Sequence, residues 1–146
     1  MKVAVGFDHA GTPLRDAVLD TLREHGHEPS DFGTCDDYPD IASLVCQAVL
    51  DGGHERGVVV CGSGAGVAVA ANKIRGIRAT VAHDTYTGAQ CVSHDDCNVI
   101  CLGARVIGPA YAADVVAAFA AARFSGEARH VRRLEKVSEI ERKGAP

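Results

Sequence analysis

Apolar residues along the chain gather into short β-branched runs: KVAVGF over 2–7, GVVVCG over 57–62, IRATVA over 77–82 and NVICLG over 98–103. Each is followed by apolar positions at helical spacing, so the runs read as parallel strands and the intervals between them as helices. Unbroken apolar runs suit strands covered on both faces, as in an open, doubly wound sheet. A weaker strand is expected near 28–32, ahead of a turn at Gly33. Residues 12–25 carry Pro13 in a first turn, Leu14, Val18, Leu19 and Leu22 on one face, and Gly26 as a stop. Further helices are predicted over 40–51, from the 62–66 loop through Lys73, over about 85–93, over the Ala-rich 109–124 and over a charged, amphipathic 129–142.

The pattern is that of one α/β domain over residues 1–146. In such a sheet ligands bind where the carboxyl ends of the strands feed their helices. Asp8-His9, the 61–66 loop and His83-Asp84 fall on that edge.

Composition narrows the partners. A chain of 146 residues, 47% of them hydrophobic, has enough apolar material for a full core. A net charge of -4 argues against broad attraction to nucleic acid or to an anionic membrane, so any phosphate has to be held by a local cluster. No apolar stretch approaches a membrane span, and Met1-Lys2 runs straight into the first strand without the zones of a signal peptide. The expectation is a cytoplasmic protein with reduced thiols. No CxxC pair occurs among the six cysteines. Cys97 and Cys101 read as members of one strand, four steps or about 13 Å apart, too far to share a zinc ion. Cys46, Cys91, Cys97 and Cys101 read as small buried hydrophobes.

Cys61-Gly62-Ser63-Gly64-Ala65-Gly66 lies between a strand and a helix. Its glycines permit a tight turn that presents N–H groups to an anion, and a helix start favours a thiolate beside them. Such a thiolate is a general base for a proton next to a carbonyl. The same letters also fit a Gly-rich turn over a buried thiol. A mononucleotide P-loop is absent, and Val67 stands both where a thiol phosphatase needs arginine and where a dinucleotide fingerprint needs its third glycine. Only Asp84, near the ribose-binding distance, keeps a nucleotide-binding module as the competitor from another class. Asp8-His9 fits either sugar hydroxyls or a helix cap. His94-Asp95-Asp96 fits either a site or a polar loop, and His25, His27 and His54 look like solvated surface. Arg129 and Arg133 are four apart, so on a helix both guanidinium groups face one phosphate.

Taken together, GFDHAG (6–11), DFGT (31–34), DYP (37–39), CGSGAGVAVAANK (61–73), GIRA (76–79), HDDCNV (94–99), LGARVIG (102–108) and RHVRRL (129–134) resemble the ribose-5-phosphate isomerase B family. That family also contains galactose-6-phosphate and allose-6-phosphate isomerases. The resemblance spans nearly the whole chain. It implies a Rossmann-like five-stranded parallel sheet, a homodimer or dimer of dimers, and an enediol mechanism without metal or cofactor. By that likeness Cys61 is the base, Ser63 a hydroxyl near the reacting carbon and His94 the acid that opens the sugar ring. Gly62, Gly64, Ala65 and Gly66 stabilise the enediolate, while Asp8 and His9 hold the substrate. Arg105, Arg129 and Arg133 bind its phosphate, with His130 as helper. Asp95 stands where described members carry an asparagine that contacts the sugar, and an ionised acid cannot donate that bond. Ribose 5-phosphate is the expected substrate, with four- or six-carbon aldose phosphates as alternatives. Because Cys61 ends a strand and His94 precedes one, the two are expected at opposite sheet edges, in a site shared between two chains.

Overall fold

The computed structural model describes residues 1–144; the last two positions of the domain expected over 1–146 lie outside the described residues. Five parallel strands are present: β1 (Lys2–Asp8), β2 (Glu28–Cys35), β3 (Arg56–Cys61), β4 (Ala79–Val81) and β5 (Val99–Gly103). They lie in the order β2-β1-β3-β5-β4. The helices are α1 (Arg15–Glu24), α2 (Tyr38–Leu50), α3 (Ala65–Ala71), α4 (Thr85–Asp95), α5 (Pro109–Ala121) and α6 (Ala128–Lys143).

Alternation along each strand splits the core into two layers. Phe7, Val58, Val60, Ile100 and Leu102 point to the side covered by Leu14, Val18, Leu22, Val115 and Phe119. Val59, Cys61, Val99 and Cys101 point to the side covered by Ile41, Val45 and Val67. All of these are buried, and each large apolar side chain removed from water contributes about 1.5–3 kcal/mol. The doubly wound architecture read from the apolar runs is therefore present.

Several boundaries differ from the sequence reading. Pro13 sits in a separate 3-10 turn, Thr12–Leu14, ahead of α1. β2 runs past Gly33, because the pairing skips from Val5↔Asp31 to Phe7↔Thr34 and the bulge absorbs the turn. β4 keeps only three of the six residues of IRATVA. α4 extends through His94 and Asp95, so these residues form its last turn and not a loop. Cys97 consequently precedes β5, and the premise that it shares a strand with Cys101 does not hold. His27 and His54 are half-buried; His54 Nε2 is 2.8 Å from the Ser30 hydroxyl.

Candidate active site

The chain runs from β1 outward to β2 and then back across to β3, which makes the gap above β1 and β3 the topological switch point. Asp8 ends one of these strands and Cys61 the other. Between them lies a cavity of about 360 Å³ lined by Asp8, His9, Tyr38, Cys61, Gly62, Ser63, Gly66 and Arg105, together with Ala10 and Val106.

Each side chain there is placed by its turn. Asp8 is buried, and its Oδ1 accepts the N–H groups of Ala10 and Gly11, both at 2.8 Å. Asp8 therefore caps neither the 3-10 turn nor α1; one carboxylate oxygen fixes the turn ahead of them while the residue lines the cavity. His9 Nδ1 donates to the Asp36 carbonyl at 3.2 Å. Gly64 takes φ +80°, a conformation that disfavours other residues, and this turns the chain so that its N–H donates to Cys61 Sγ at 3.0 Å. The Ala65 N–H donates to Ser63 Oγ at 3.2 Å. These two N–H groups therefore brace the loop itself.

The end of β5 supports this turn from below. The N–H groups of Ala104 and Arg105 donate to the carbonyls of Cys61 and Gly62, both at 2.9 Å. A Cβ at Gly103 would lie 2.6 Å from the Ser63 carbonyl carbon, so only glycine permits the contact. His83 Nε2 accepts the Gly103 N–H at 2.9 Å, and burial lowers the His83 pKa. Asp84 caps α4 by accepting the Thr87 N–H at 2.7 Å, which holds its carboxyl below the ordinary range. With Asp84 committed to that cap, the dinucleotide reading loses its one remaining support, and Val67, which stands where the third glycine was needed, is buried in the core.

The other sequence-predicted residues are elsewhere. His94 stacks on His130 with ring centroids 4.2 Å apart, and His130 Nδ1 is 2.6 Å from the Ser125 hydroxyl. Burial, with His94 and Arg129 nearby, pushes the His130 pKa down. Arg129 Nε contacts Glu127 at 2.8 Å. Arg133 and Asp95 line a second cavity, about 470 Å³, between α6 and the starts of β4 and β5. Cys61 and His94 thus belong to different parts of the surface. Tyr38, Ala10 and Val106 are the cavity residues that sequence reasoning missed, and Tyr38 is the polar one among them. Its ring comes within 3.1 Å of the place a Cβ on Gly66 would take; the DYP segment that carries it was legible as part of the family resemblance, with no role marked for the tyrosine. Among the described residues, no group of three His, Cys, Asp or Glu side chains is placed to hold a metal ion. No helix among them is long and apolar enough to cross a membrane.

An α/β domain with a buried thiol at the switch point and an arginine lining the same cavity places this pocket where small-molecule sites of open parallel sheets lie. Comparison with known proteins makes the class specific. Residues 3–137 match the model of the Ribose/Galactose Isomerase family, and the chain belongs to that family of isomerases. The ribose-5-phosphate isomerase B of Escherichia coli is 39% identical over 146 residues, covering 97% of each chain. A D-erythrulose-4-phosphate isomerase of Pectobacterium atrosepticum is 38% identical over 131 residues, or 86% of each chain. The type B ribose 5-phosphate isomerase structure from Trypanosoma brucei superposes with a TM-score of 0.92 at 42% identity, covering 95% of this chain and 97% of that one.

Proposed function

We propose that the chain is a cytoplasmic, homodimeric enzyme that interconverts ribose 5-phosphate and ribulose 5-phosphate through an enediolate, with Cys61 as base. The observation that carries this reading is the buried Cys61 sulfur, which accepts the Gly64 N–H and lines the cavity at the switch point together with Asp8, His9, Ser63 and Arg105. In the open-chain aldose, Cys61 takes the proton from C2 while the electron pair moves onto O1. Return of a proton to C1, with transfer of a proton from the C2 hydroxyl to O1, leaves the carbonyl at C2. Ser63 lies beside the reacting carbons, and Asp8 and His9 hold sugar hydroxyls. Arg105 meets the phosphate from the same chain.

His94 acts as the ring-opening acid, and Arg129 and Arg133 complete the phosphate site, all three from the second copy. The separation of the two residue groups within one chain supports this division, because a two-fold axis makes each copy lend what the other lacks. Its test is to mix inactive Cys61→Ala and His94→Ala subunits after subunit exchange. Half of randomly formed dimers are mixed, and each of these has one intact site, so about a quarter of parental activity returns. Proven exchange with no recovered activity would overturn the shared site.

A four-carbon aldose phosphate is the second reading, favoured by the Pectobacterium relative; Asp95, in place of the asparagine of described family members, leaves the sugar identity open. A panel of four-, five- and six-carbon aldose phosphates, compared by kcat/KM, separates the substrates. Retention of bound nucleotide with no turnover of any of them is the outcome expected of a nucleotide-binding module.

A further inference from the structure

We propose that Arg78 is a positioning residue: by clamping Asp96 it sets the last turn of α4, and with it His94, where the ring-opening step needs it. This rests on the reading of His94 as the ring-opening acid.

Asp96 closes α4 with φ 48° and ψ 41°, and among the described residues it is the one non-glycine residue with positive φ. Aspartate enters this left-handed conformation more readily than most residues with a Cβ, but still needs contacts to stay there. Arg78 supplies two such holds. Its Nε donates to the Asp96 carbonyl at 2.7 Å, and a terminal nitrogen donates to Asp96 Oδ2 at 2.7 Å. One planar guanidinium therefore fixes both the backbone and the side chain of the same residue.

Arg78 is itself held on the sheet. Its N–H donates to Asn98 Oδ1 at 2.9 Å, and its carbonyl accepts the Asn98 N–H at 3.1 Å. Asn98 Nδ2 reaches back to the Gly76 carbonyl at 3.0 Å. The end of α4 is thereby tied through Arg78 to Asn98 at the entry of β5.

What the clamp holds is chemically specific. His94 and Asp95 are the two residues before Asp96, on a turn closed by the Asp96 N–H to the Val92 carbonyl at 3.0 Å. His94 meets its stacking partner, His130, only if that turn is complete. Without the clamp, only the backbone bonds from the Asp96 N–H to the Val92 carbonyl and from the Cys97 N–H to the Cys91 carbonyl, both at 3.0 Å, hold the turn, and the position of His94 loosens with it. A displacement of about 1 Å at a reacting group costs up to about 100-fold in rate.

A residue that merely stabilised the fold would affect every substrate alike. Ring opening provides the contrast: 4-deoxyribose 5-phosphate lacks the O4 that closes the furanose ring, so it reaches the site open-chain and does not need the acid. Arg78→Lys and Asp96→Ala are expected to lower kcat/KM for ribose 5-phosphate by about 10- to 100-fold and leave the deoxy analogue within about twofold. Asp96→Gly, which accepts positive φ, should retain more activity than Asp96→Ala. His94→Ala is the reference and should show the same selectivity. If it does and the Arg78 and Asp96 variants lower both substrates equally or neither, the positioning role is overturned.

If His94→Ala itself affects both substrates equally, the ring-opening reading fails, and the position of His94 is then judged directly. The ring-current shifts of the stacked His94 and His130 protons should be lost in folded Arg78→Lys. Unchanged shifts would overturn the clamp.

Discussion

Replacing Cys61 by alanine tests the chemistry at its centre, and the structure allows its effects on rate and on stability to be separated. Cys61 is 5% exposed and packs in the layer under α2 and α3. Removing the sulfur costs about 1 kcal/mol of burial. It also leaves the Gly64 N–H without its acceptor, worth about 1–3 kcal/mol. The sum, about 2–4 kcal/mol, falls below the roughly 5–15 kcal/mol typical of a domain, so the variant stays folded. A lost general base costs about 100- to 10,000-fold, or about 3–5.5 kcal/mol of transition-state stabilisation. Cys61→Ser separates the two terms: its hydroxyl still accepts from Gly64, so the denaturant midpoint should recover while turnover does not. The assay is ribose 5-phosphate isomerisation in deuterated water, following deuterium at C1 of the ketose, beside urea unfolding of each variant. Parental kcat/KM in Cys61→Ala, or serine restoring rate together with stability, refutes the assignment of the base.

Arg129→Ala or Arg133→Ala should chiefly raise KM for the phosphorylated sugar, and lysine should rescue it only in part for want of a planar fork; both alanine variants at parental kcat/KM would remove these residues from the phosphate site. Stability should fall on mild acidification, because His83 and His130 are both held below the ordinary value near 6.5. Between their folded values and about 6.5 the unfolded chain binds more protons, so stability is full above that pH and is lost as pH falls below it. Thermal melts at about pH 7.5 and about pH 5.5 check the sign, and an unchanged or higher midpoint at the lower pH contradicts it.

Continuous apolar runs were sufficient to read the parallel strands, because burial on both faces leaves no other pattern. Where the reading failed, the deciding contact came from far along the chain. IRATVA is apolar enough for six strand residues, yet Asn98 takes up the backbone of Arg78 and β4 starts only at Ala79. Nothing in HDDC marks a helix end, since the left-handed cap is an aspartate held by an arginine 18 residues earlier. The switch-point half of the site was legible because strand order places the ends of β1 and β3 together for any sequence with this topology. Tyr38 was not, because its place depends on how α2 packs against α3. Arg129 and Arg133 do lie on one helix, but whether they meet a phosphate depends on what faces that helix.

That last point follows from the winding of the fold. In a parallel sheet every helix returns antiparallel to the strands, so the end of a helix and the end of a strand lie at opposite edges. Cys61 and Asp8 end strands, whereas His94 ends α4, and no change of loop length within the chain brings them together without dismantling the layer between. A strand of six residues spans about 20 Å, several times the reach of a side chain. A second copy related by a two-fold axis avoids this constraint, because its axis can set the helix-end edge of one sheet against the strand-end edge of the other. The price is that each half-site must be rigid before the partner arrives. The His83–Gly103–Ser63 support under Cys61 and the Arg78–Asp96 clamp under His94 are two such preparations, one at each edge of the same sheet. On the proposed two-chain reading the division of the site follows from the topology, and rigidity at both edges is what would let two incomplete surfaces act as one.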